Sequence, residues 1–67
     1  MTFKVKIGTE IEDKELGNEN KTIKNLLDEL DISSESVVTK KNGDIVVEDE
    51  VISHGDEIQL IRIIYGG

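Results

Sequence analysis

Glu57-Ile58-Gln59-Leu60-Ile61-Arg62-Ile63-Ile64 is the stretch that decides the fold. Along a strand, Ile58 and Leu60 point to one side while Gln59, Ile61 and Ile63 point to the other. Both sets are mostly apolar, so this strand is predicted at the centre of its sheet. The run then ends in Tyr65-Gly66-Gly67, which puts the terminal carboxylate on two glycines, the most permissive backbone available. The Gly67 carboxylate, with Gly66 beside it, is the expected functional group. Residues 1–64 are expected to form one domain and 65–67 a flexible reactive tail.

Upstream, His54-Gly55-Asp56 reads as the turn into this strand, Val51-Ile52 as a brief buried stretch and Glu48-Asp49-Glu50 as an acidic bend. Before them, Asn42-Gly43 separates Val37-Val38-Thr39 from Ile45-Val46-Val47, a tight-hairpin signal because both central residues of such a turn need positive φ. One helix is predicted. Ile23, Leu26, Leu27 and Leu30 fall at i, i+3, i+4 and i+7, with Thr22 as N-cap and a stop near Asp31. Asn25 is not expected to complete the Glu/Gln type of capping box.

At the other end of the chain Phe3, Val5 and Ile7 alternate with Thr2, Lys4 and Lys6, the signature of a half-buried first strand. Glu10 to Leu16 is predicted to pair back on it as an exposed strand protected by charge, with Gly17-Asn18-Glu19-Asn20 as the turn that follows. This order gives an α+β fold: a mixed sheet of four to five strands with one helix packed across one face. Setting the last strand beside the first, and parallel to it, makes the arrangement a β-grasp. A single helix covers one face only. Ile61 and Ile63 are therefore expected in an exposed apolar patch of the kind that marks protein–protein contact; the alternative is that Ile61 is a lone surface aliphatic or lies under the 48–55 loop.

Composition sets limits on chemistry. Sixty-seven residues make a domain that buries only about 60% of its unfolded surface, which argues against a deep catalytic cleft. Ten Ile, six Val and five Leu with no Ala lean the core towards sheet. The absence of Cys removes disulfides, thiolate metal sites and a cysteine nucleophile. A formal net charge of −7 argues against nucleic acid as a partner, because that affinity rests on Lys and Arg replacing counterions. It favours steering towards a basic protein surface. No apolar run of about 20 residues and no basic leader is present, so a cytoplasmic monomer with no membrane partner is expected. His54, the only histidine, reads as a turn residue rather than a ligand. The 48–50 bend lacks the alternating ligands of a calcium loop. No metal site is expected.

The segments Asn42-Gly43-Asp44-Ile45-Val46, His54-Gly55-Asp56-Glu57-Ile58 and Leu60-Ile61-Arg62-Ile63-Ile64-Tyr65-Gly66-Gly67 resemble the ubiquitin-like sulfur carriers. That group includes the thiamine-biosynthesis sulfur carrier, the molybdopterin synthase small subunit and the small archaeal modifier proteins, and the last stretch is most similar to the archaeal type. The resemblance implies a carrier rather than an enzyme. Its Gly67 carboxylate would be adenylated with ATP by an E1-like enzyme, ATP being used by that partner and no cofactor being held stably. A sulfur nucleophile, the persulfide of a donor protein or a thiol of a partner, would then displace AMP to give a thiocarboxylate or a thioester respectively, for delivery to an acceptor enzyme or a lysine-bearing target. Gln59, Ile61, Arg62, Ile63, Ile64 and Tyr65 are the expected partner-binding residues; for Arg62 the alternative is a solvated charge. Two other readings are a molybdopterin synthase small subunit, disfavoured by the lack of proline before the glycines, and an interaction domain that never reacts.

Overall fold

The computed structural model describes residues 1–17 and 20–63. Among the described residues, five strands and one helix follow in the order β1 (Thr2–Ile7), β2 (Glu10–Glu15), α1 (Ile23–Leu30), β3 (Val37–Lys41), β4 (Asp44–Val46) and β5 (Glu57–Arg62), with a 3-10 turn at Ser34–Ser36 before β3. They form one sheet in the order β2-β1-β5-β3-β4. β5 lies at its centre, parallel to β1 and antiparallel to β3. This is the expected β-grasp.

The pleat explains the core. Phe3 and Val5 of β1, Ile58 and Leu60 of β5 and Val37 of β3 are buried on one face, against Ile23, Leu26 and Leu27 of α1. Leu16 and Ile52 complete this cluster. Val51 does not join Ile52 in the core. It is exposed, and its backbone bridges Thr22 at the start of α1, which turns its side chain outward.

Local chemistry fixes the connections. The β3–β4 turn places Asn42 at φ 52° and Gly43 at φ 92°, the pair of positive values that a two-residue hairpin demands. Asn42 does more: its Oδ1 accepts from the Glu57 N–H at 3.0 Å and its Nδ2 donates to Asp56 Oδ1 at 3.0 Å, pinning the hairpin to the start of β5. At α1 the capping box is complete after all. The Asn25 N–H donates to Thr22 Oγ1 at 3.2 Å, while Asn25 Oδ1 accepts from the Thr22 N–H at 3.1 Å. The shorter Asn amide reaches the backbone N–H that a Glu or Gln serves in the usual capping box. Asp31 ends the helix in the left-handed region, at φ 57°.

Lys21 is buried and Lys41 half-buried, and each is held by a carboxylate. Lys21 Nζ donates to both Glu29 carboxylate oxygens at 2.7 Å and lies 5.7 Å from the centre of the Phe3 ring. Lys41 Nζ donates to Glu50 Oε2 at 2.7 Å and to the Val51 carbonyl at 3.2 Å. The hydrogen bond to Glu50 raises the Lys41 pKa above 10.5, against a smaller opposing effect of burial.

Candidate functional site

β5 is expected to continue to Ile64, but it ends at Arg62 because its partner β3 begins at Val37, directly opposite Arg62. The next ladder-like contact is made outside the strand, where the Ile63 N–H donates to the Ser36 carbonyl at 2.9 Å. Ile64, Tyr65, Gly66 and Gly67 lie outside the described residues, as do Asn18 and Glu19 of the first loop.

Of the residues singled out in β5, the structure separates Arg62 from the others. Ile61 pairs with Val38 and Gln59 with Lys40, on the face away from the helix, whereas Arg62 shares the pleat face of Leu60 and Val37. Arg62 is exposed because it stands at the rim. Ile61 and Ile63 keep 38% and 41% of their surface accessible. The loop after β4 does not cover them. Its backbone bonds run to the start of α1, from the Ile23 N–H to the Glu50 carbonyl and from the Ile52 N–H to the Lys21 carbonyl, which places it on the helix side. Where β1 stops at Ile7-Gly8, β5 runs on. A shallow depression lined by Ile7, Gly8, Gln59, Leu60, Ile61 and Arg62 results.

The open face has a charge pattern that the chain's composition hides. One row of cross-strand neighbours reads Ile11, Lys6, Gln59, Lys40 and Ile45, from one sheet edge to the other. The carboxylates on this face, Asp13, Glu15 and Glu57, stand towards the opposite end from Ile61 and Ile63. Asp13 pairs with Lys4 at 2.9 Å and Glu15 with the N-terminal ammonium at 3.2 Å. Among the described residues, Lys6 and Lys40 have no ion-pair partner. His54 takes the structural role expected of a turn residue, accepting at Nδ1 from the Thr2 N–H at 3.1 Å. Among the described residues, no cluster of three or more His, Cys, Asp or Glu side chains is placed to hold a metal, and no helix is long and apolar enough to cross a membrane.

Comparison with known proteins extends these observations. The crystal structure of SAMP1 from Haloferax volcanii is similar with a TM-score of 0.77 and 17% identity, covering 100% of both chains. That of the thiamine biosynthesis protein ThiS from Geobacter metallireducens is similar with a TM-score of 0.67 and 19% identity, over 96% of this chain and 99% of that one. At these identities the two share a fold with this chain. The family itself comes from the sequence: the model of the ThiS family matches residues 4–67, from within β1 through the helix and the remaining strands to both terminal glycines. The chain belongs to the ThiS family, within the ubiquitin-like sulfur-carrier group that its final strand resembles.

Proposed function

We propose that this protein is a sulfur carrier and protein modifier of the cytoplasm whose reacting atom is the carboxyl carbon of Gly67. The observation that carries this reading is the placement of β5, the central strand, whose last backbone tie among the described residues is the Ile63 amide. Four residues follow in the sequence, which as a tether would reach at most about 14 Å. A domain body offers a partner its surface, and the tether carries the carboxylate into that partner's active site. Ile61 and Ile63 supply apolar contact beside the exit, with Gln59, Ile64 and Tyr65 extending it and Arg62 offering a charge at the rim.

The chemistry belongs to the partners. An E1-like enzyme joins a Gly67 carboxylate oxygen to the α-phosphorus of ATP, and pyrophosphate leaves. A sulfur nucleophile then adds to the acyl carbon and expels AMP, a far better leaving group than hydroxide. If the nucleophile is a persulfide, a second thiol opens the resulting S–S bond and leaves the thiocarboxylate on Gly67. A cysteine thiolate gives a thioester instead, from which a lysine amine can take the acyl group. Glycine suits the position because it has no Cβ to obstruct the narrow approach to the acyl carbon.

Intact mass spectrometry tests the reading with the purified chain, ATP, a persulfide donor and the E1-like enzymes of the same host. A mass gain matching one oxygen replaced by sulfur is expected, and it should vanish when Gly66 and Gly67 are deleted. An unchanged mass with every such enzyme would overturn the carrier reading. Undiminished partner binding by the deletion variant, with no activation of the intact chain, would leave an interaction domain in its place.

A further inference from the structure

We propose that Lys6, Gln59 and Lys40 form a seat for a carboxylate side chain on the activating enzyme, framed by the apolar residues Ile11, Ile45, Val38 and Ile61; this rests on the carrier reading above. The three seat residues sit on adjacent strands in one row, Lys6 opposite Gln59 on β1 and Lys40 opposite Gln59 on β3. With strands about 4.8 Å apart, the two lysine backbones stand about 10 Å from each other, and both side chains can lean over Gln59. The seat thus asks two ammonium groups and one amide N–H to serve a single carboxylate. Charge-assisted hydrogen bonds of this kind are stronger than neutral ones.

Among the described residues Lys4, Lys21 and Lys41 pair with carboxylates, whereas Lys6, Lys14, Lys24 and Lys40 make no ion pair. Of those four, Lys6 and Lys40 alone share the open face, although Glu57 stands one pleat step away from Gln59 there. Ile61 pairs with Val38 one step beyond the seat, on the side from which the chain leaves the sheet. A partner that docks on Ile61 and Ile63 therefore meets the two lysines in the same footprint. The net charge of the molecule points to a basic partner, but this face selects an acidic one, and contact electrostatics act at short range under physiological screening.

Pyrophosphate release by the host's E1-like enzyme tests the seat. The paired substitution Lys6→Glu with Lys40→Glu is expected to raise KM for the carrier by roughly tenfold or more, as like charges meet across the interface, with kcat held. The pair Lys14→Glu with Lys24→Glu, on the helix side, changes net charge equally and should leave KM within about threefold, a purely long-range effect. Lys6→Gln with Lys40→Gln, which repels nothing, should raise KM less and flatten its rise with added salt. Equal effects of the two reversed pairs, or an unshifted KM in the face variants, would overturn the seat while leaving the carrier reading standing. A wild-type chain that no enzyme activates would instead remove the carrier reading and the seat with it. Thermal unfolding of each variant separates a lost fold from a lost contact.

Discussion

Lys41 shows how much a single side chain can hold in so small a molecule. Its ammonium joins the end of β3 to Glu50 at 2.7 Å and lies 3.9 Å from Asp56, so one group ties the hairpin, the 48–53 loop and the approach to β5. The hydrogen bond to Glu50 raises its folded pKa above the 10.5 of an unperturbed lysine. The folded state therefore holds the proton more tightly than the unfolded state, and the stabilisation is fully present below pH 10.5 and is lost as pH rises through the folded value. Urea denaturation of wild type and Lys41→Met across the alkaline range should show two stability curves that converge above pH 10.5. A constant separation would mean that packing of the aliphatic stem, not the charge, holds the junction. Lys21 makes the opposite compromise. With its side chain only 9% exposed, it depends on Glu29 and the Phe3 ring for nearly all of its solvation.

Among the elements, β5 carries two jobs on its two faces. Ile58 and Leu60 are fully packed beneath α1, while Gln59 and Ile61 look out on the open side. Large-to-small changes in such a core cost about 2–5 kcal/mol, whereas exposed substitutions usually stay within about 0.5 kcal/mol. Ile58→Ala should therefore lower the urea midpoint severely, and Ile61→Thr, which keeps a β-branched side chain, should shift it little. For a chain of this length total stability is roughly 3–10 kcal/mol, so the first variant is expected to be partly unfolded at room temperature. Comparable losses at both positions would contradict the two-faced assignment. α1 is short at eight residues and owes its position to its capping box and to the sheet beneath, since isolated helices of that length are marginal in water.

For the whole molecule, what the sequence reveals follows a simple physical division. Patterns set by one element's own geometry are readable: the period-two alternation of β1, the Leu/Ile stripe of α1, the Asn-Gly turn. Features that arise between elements are not. Nothing in the sequence places Lys6, Gln59 and Lys40 in one row, because that depends on the β1–β5 and β5–β3 registers. The burial of Lys21 needs Phe3 and Glu29 brought together from three separate elements. The length of β5 was set by where β3 starts, not by the apolar run that continues past Arg62. The sheet order makes its own prediction. Native-state hydrogen exchange should be slowest for the amides of β5 and its neighbours β1 and β3, and fastest in the edge strands β2 and β4, which pair on one side only. Fast exchange in β5 would refute its central, stabilising position. That position also has a consequence for biosynthesis. The strand that joins the two hairpins comes last of the described strands in sequence order, so a chain cut short before Glu57 has β1–β2 and β3–β4 with nothing between them and cannot close its core. Folding itself thereby screens nascent chains for completeness through β5, and defective copies are left open to proteolysis before they can compete for a partner.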